Sequence, residues 1–75
     1  MDLANLAAFV AVADAGGFSA AATALHLTQP AVSKRIAQLE AELATRVFDR
    51  VGRQVLLTEA GQLLLPRARQ LLGDA

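Results

Sequence analysis

A mainly α domain carrying one small β-hairpin is what this chain of 75 residues predicts. Three observations carry the expectation. Apolar residues recur at steps of three and four over four segments, the spacing that lines one side of an α-helix. Around residues 47–57 the period shortens toward that of extended chain. Hydroxyl, carboxylate and glycine residues stand at the joints, where helices start and stop.

In the first segment, Leu3 to Ala15, the larger apolar residues fall at Leu3, Leu6, Val10 and Ala13. Asp2 is the expected N-cap and Gly16-Gly17 the stop. Ser19 is the expected cap of a second, short helix through Leu25. The alanines at 20, 21, 22 and 24 keep that helix thin, so another helix can cross it closely. His26-Leu27 has room only for a tight turn, and histidine is among the few side chains enriched at positive φ.

Thr28 then offers its hydroxyl as a cap to a third helix, with Gln29-Pro30 in the first turn, where proline costs no hydrogen bond. This helix is predicted over 29–44, with a core stripe of Val32, Ile36, Leu39 and Leu43. At 100° per residue, Pro30, Lys34, Gln38 and Ala41 point away from that stripe, and Ser33 and Ala37 flank it. Val47-Phe48-Asp49-Arg50 and Gln54-Val55-Leu56-Leu57 read as two strands around Val51-Gly52-Arg53, where glycine can take positive φ. Thr58 and Glu59 open a last helix with Ala60, Leu63, Leu64, Ala68, Leu71 and Leu72 on a broad apolar surface, Pro66 inside it and Gly73 as its stop. Pro66 removes one backbone hydrogen bond and is expected to bend or loosen a turn.

The order helix, helix, turn, helix, hairpin, helix is that of a winged helix-turn-helix: a three-helix core, a two-stranded wing and a C-terminal linker or dimerisation helix. Two units are expected, 1–58 for double-stranded DNA and 59–75 for pairing. In such a layout the helix after the turn enters the major groove, and the small residues Pro30, Ala31 and Ser33 let helix 29–44 approach the duplex. Gln29, Lys34 and Gln38 can donate to base edges, Arg35 is better suited to phosphate, and the first-turn N–H groups beside Thr28 favour a phosphate oxygen. Arg53 at the tip of wing 47–57 suits the minor groove, and Arg50 at its base suits phosphate. The apolar surface of 59–72 exceeds what so small a body buries, so Leu63, Leu64, Ala68, Leu71 and Leu72 are expected to pair two copies into a homodimer.

Composition narrows the alternatives. Mean hydropathy is +0.41, but alanine supplies 17 residues and the longest apolar run, Leu6 to Ala13, is eight long. A membrane-spanning helix needs about 20. There are no cysteines, and no basic stretch precedes an apolar one, so the expected location is cytoplasmic. Net charge is zero yet unevenly placed: −2 over residues 1–27, +2 over 28–58 and 0 over 59–75.

No nucleophile with a partner base, metal cluster or phosphate loop is present, so no enzyme activity, metal or cofactor is expected. His26 has no second ligand, and Glu40 and Glu42 lie about 200° apart on their helix. Glu42 and Arg46 read as a solvated pair. The competing reading is a small helical protein-interaction module without DNA binding, in which helix 58–72 docks a partner.

The residues also resemble the N-terminal domain of LysR-type transcriptional regulators over essentially the whole chain. The resemblance lies in Leu3, Leu6 and Phe9; in Gly17-Phe18-Ser19 with Ala21-Ala22 and Leu25; in Thr28-Gln29-Pro30-Ala31-Val32-Ser33 with Ile36 and Leu39-Glu40; and in Leu43, Val47-Phe48, Arg50, Arg53 and Leu57-Thr58-Glu59-Ala60-Gly61. It implies a transcription regulator that reads DNA through Gln29, Pro30, Ser33 and Lys34, with Arg50 and Arg53 on the wing and subunits paired by the last helix. Thr58, at the joint between wing and last helix, is counted among the DNA contacts. It further implies that a small-molecule effector acts only through an effector domain absent from this chain. Two departures are Ala44, where the family usually has glycine, and Gly16-Gly17, where it often has Gly-Ser.

Overall fold

The computed structural model describes residues 1–73, so the last two residues of the expected unit 59–75 lie outside the described residues. The order is α1 (Leu3–Ala15), α2 (Phe18–Leu25), α3 (Gln29–Leu43), β1 (Phe48–Val51), β2 (Gln54–Leu57) and α4 (Glu59–Leu72). Helix α1 sits centrally and packs on α2, α3 and α4. The strands form one antiparallel ribbon, with Phe48 opposite Leu57 and Val51 opposite Gln54.

Leu6, Phe9 and Val12 of α1 interlock with Val32 and Leu39 of α3 and with Val47, all nearly inaccessible to water. Full burial of one such side chain stabilises by about 1.5–3 kcal/mol. The expected stripe on α3 holds, with Val32, Ile36 and Leu39 buried and Leu43 half-buried. Of the stripe expected on α1, Leu6 and Val10 are buried and Ala13 is half-buried. Leu3 is exposed, while Asn5, Ala8, Phe9 and Val12 are buried, because three helices surround α1 and more than one stripe of it is covered.

Caps set most helix boundaries. Asp2 accepts from the Ala4 N–H at 2.8 Å, Thr28 from Ala31 at 3.3 Å and Thr58 from Gly61 at 3.1 Å, each quenching a donor left open in a first turn. Helix α2 differs from expectation: its N-cap is Gly17, which makes no side-chain cap bond, and Ser19 lies inside the first turn. Burying Phe18 against Phe48 brings the chain into the helix two residues early. His26 ends α2 with φ 57, the left-handed turn expected of it, and Ala44 ends α3 with φ 55. Helix α4 runs unbroken through the exposed Pro66 to Gly73.

The wing starts one residue later than expected. Val47 is not in the ribbon; its N–H donates to Glu40 Oε2 at 2.8 Å and its carbonyl accepts from Thr58 N–H at 3.0 Å. Val51 joins β1 and leaves a two-residue turn in which Gly52, at φ 62, occupies the position where such turns require positive φ.

Gly61 holds α4 against this connection. A Cβ there would meet the Val47 carbonyl oxygen at 2.3 Å and Leu57 Cδ2 at 2.9 Å. Farther along, Ala68 is fully buried against the body, and Arg69 clasps Asp14 through contacts of 2.6 and 3.2 Å.

Candidate nucleic-acid interface

The outward side of α3 is built by the capping geometry at its start. Thr28 closes the first turn, which leaves Gln29 and Pro30 exposed at the head of the helix and Ala31 half-buried beneath them. One turn on, Lys34 is exposed and Ser33 half-buried; Ala37 and Gln38 continue the exposed side. All of these flank or oppose the buried row of Val32, Ile36 and Leu39, so the side that packs and the side that faces solvent are separate.

The wing folds back toward the head of α3. Gln29, Arg50, Gly52 and Arg53 line one open cavity of about 460 Å³, together with Ser19 and Ala20 from the start of α2. Ser33 and Arg50 line a second depression of about 230 Å³. On the other flank of α3, Ala31, Lys34, Arg35 and Gln38 line a third of about 330 Å³, beside Asp2 and Asn5. The sequence-predicted residues therefore fall into two groups along one helix. Gln29 and Ser33 share the wing's side with both wing arginines, while Lys34 and Gln38 share the side next to the start of α1.

Not every expected contact is equally free. Arg35 is half-buried, and its Nη1 donates to the Ala4 carbonyl at 3.4 Å, which ties α3 to α1. Thr58 is half-buried. Its hydroxyl donates to the Arg46 carbonyl at 2.6 Å while accepting from Gly61 N–H, so it is a joint between wing and α4, with its proton already committed. Arg46 sends its Nε–H to the Phe48 carbonyl at 3.3 Å and makes no pair with Glu42 among the described residues; Glu42 lies 3.7 Å from the amino group of Met1.

Two residues of the site carried no site role in the sequence reading. Phe18 lies under Arg50, whose guanidinium carbon is 4.6 Å from the ring centroid. Glu40 fixes the first residue of the wing connection. A stack between residues 32 positions apart leaves no periodic trace, and a glutamate at a helix end looks like any solvated charge.

The apolar set on α4 divides. Leu63 and Leu71 are 69% and 63% exposed, whereas Leu64 and Leu72 are half-buried against the chain's own core. Ala68 is 0% exposed and corrects the expectation that it pairs subunits: the inner side of α4 must approach α1, and a small side chain there is consumed by the fold.

Over residues 3–62 the sequence matches the family model described as bacterial regulatory helix-turn-helix protein, lysR family. The chain belongs to the lysR family. Relatives of this lysR domain include an uncharacterized HTH-type transcriptional regulator in the ibpB-leuC intergenic region of Azotobacter vinelandii, 67% identical over 72 residues that cover 96% of this chain and 50% of the relative. The HTH-type transcriptional regulator TfdT of Cupriavidus pinatubonensis is 46% identical over 72 residues, covering 96% of this chain and 32% of the relative. The chain thus spans half or less of the length of these lysR relatives.

Among solved structures, the DNA complex of the CbnR DNA-binding domain superposes with TM-score 0.92 at 40% identity, covering 97% of this chain and 84% of that one. The complex of the BenM DNA-binding domain with benA site 1 DNA gives TM-score 0.92 at 36% identity, covering 99% and 83%. The winged helix-turn-helix fold expected from sequence is the fold of these lysR-type domains.

Proposed function

We propose that this chain is the DNA-reading part of a transcription regulator, that it places α3 in the major groove and its wing at the minor groove, and that it acts as a dimer through α4 without catalysis. The observation that carries the reading is the shared cavity: Gln29 at the head of α3 and both wing arginines, Arg50 and Arg53, converge on one open depression, and Lys34 stands exposed on the same helix. A cationic flank beside a helix with short outward side chains is complementary to a groove edged by phosphates. The related CbnR and BenM domains were solved bound to DNA, which supports the same occupant here.

In this reading Gln29, Lys34 and Gln38 address base edges with Pro30, Ala31 and Ser33 permitting the approach. Each good bidentate contact is worth about 1–3 kcal/mol of discrimination. Arg35 and Arg50 meet phosphate, Arg53 enters the minor groove, and Leu63 and Leu71 meet their counterparts in a second copy. The setting is the cytoplasm, and any small-molecule effector acts through a further domain of the longer protein.

Binding to a duplex selected from a random pool, followed by fluorescence anisotropy, tests the reading. Lys34→Glu and Arg53→Ala are each expected to weaken binding, by about tenfold or more where a well-made base or minor-groove contact is lost. Unchanged affinity in both variants, with activity lost instead on changing Leu63 and Leu71, would favour a protein-docking module.

A further inference from the structure

Three phenylalanines stand in a row at the base of the wing, with Phe48 of β1 between the other two. The Phe9 and Phe48 rings have centroids 5.3 Å apart with planes tilted by 46°, and Phe18 meets Phe48 edge-on at 6.0 Å and 68°. Phe9 and Phe48 are almost fully buried and Phe18 is 9% exposed, so the outermost ring of the row is held in a fixed plane with one face turned toward the wing. Arg50 lies over that face. A guanidinium above an aromatic face is attracted by the ring's negative quadrupole. Its N–H donors lie in the guanidinium plane, and the contact with the ring uses none of them in a hydrogen bond. Arg50 makes no ion pair or side-chain hydrogen bond among the described residues, and the residue is exposed. Its charge and donors are therefore held in place and uncommitted, between Ser33 on one side and Gln29 and Arg53 on the other.

We propose that Phe18 is a positioning residue for DNA binding: its ring pre-orients the Arg50 guanidinium so that the donors face the duplex before it arrives. An arginine loses considerable rotamer freedom when it is fixed at an interface, and a ring that restricts it beforehand reduces that loss. The inference rests on the proposed DNA-binding function, and its test separates the two.

A double-mutant cycle on duplex affinity uses the wild-type chain, Phe18→Leu, Arg50→Gln and the double variant. Phe18→Leu is expected to weaken binding about two- to fivefold with Arg50 present, the range of an exposed cation–π contact, and to have no effect once Arg50 is glutamine. Equal weakening in both backgrounds overturns the proposal and leaves Phe18 a core residue only. Absence of salt-sensitive binding by the wild type overturns the function reading, and this inference with it.

A second measurement needs neither DNA nor a core substitution. In the free wild-type chain, the Arg50 Hδ and Hε resonances are expected upfield of their ordinary positions because the ring current of Phe18 shields them. Ordinary positions there overturn the proposal even if every variant unfolds.

Discussion

Ala44 ends α3 in a left-handed conformation, φ 55, that glycine adopts without steric cost and alanine does not. Ala44→Gly is therefore expected to stabilise the chain by about 1 kcal/mol, read as a higher urea midpoint with unchanged slope. Gly61 has the opposite constraint, since a methyl group there would strike a backbone carbonyl that cannot move aside. Gly61→Ala is expected to cost about 1–3 kcal/mol in the same experiment. A third residue-level effect concerns acid. The hydrogen bond from Arg69 holds the Asp14 carboxyl below its ordinary value, against the opposing effect of burial and with a further contribution from the guanidinium charge. A carboxylate with a lowered folded-state pKa contributes stability above the unfolded value, near pH 4, and loses it as pH falls through the lowered one. The pair is exposed, so Arg69→Asn should cost at most about 1 kcal/mol at pH 7, and the difference from wild type should shrink below pH about 4.

Among the elements, α4 carries the clearest prediction. Leu63 and Leu71 are two turns apart on a flank that the chain's own body leaves open. Changing both to glutamate should shift a concentration-dependent dimer toward monomer in sedimentation equilibrium while the helical circular dichroism persists. Ala68→Glu should unfold the domain instead, because that position is inside it. These elements were largely legible in the sequence, since α3 and α4 each announce themselves by a hydroxyl cap and a row of leucines or isoleucine. The misplacements have long-range causes. The first strand begins at Phe48 because a carboxylate seven residues upstream takes the Val47 N–H, and α2 begins at Phe18 because that ring has Phe48 to bury against. Neither partner lies within one period of the residue it displaces. Ala68 was misassigned because an apolar wheel shows how much surface is greasy and not which part of it the rest of the chain will claim.

At the scale of the whole molecule, the unequal spread of charge matters more than its zero sum. If each copy neutralises about four phosphates, the log of affinity should fall against the log of salt with a slope of about −3.6 per copy, measured by anisotropy between about 50 and 200 mM salt. Arg53→Ala should flatten that slope by about 0.9 if its guanidinium displaces one counterion. The exposed residues of the candidate site were legible as a set, because the outward side of α3 follows from its buried side. Its division into a wing-side group and an α1-side group was not, since that depends on how the ribbon folds back. The joint at Thr58 has a mechanical outcome as well. Its amide and hydroxyl grip Val47 and Arg46 while Gly61 rests on the same carbonyl, leaving no slack between the last helix and the ribbon. If two copies pair through α4 as proposed, this joint would carry a rotation of that helix into the hairpin, like a wrench turning a bolt, and the spacing of the two hairpins would follow from how the helices meet.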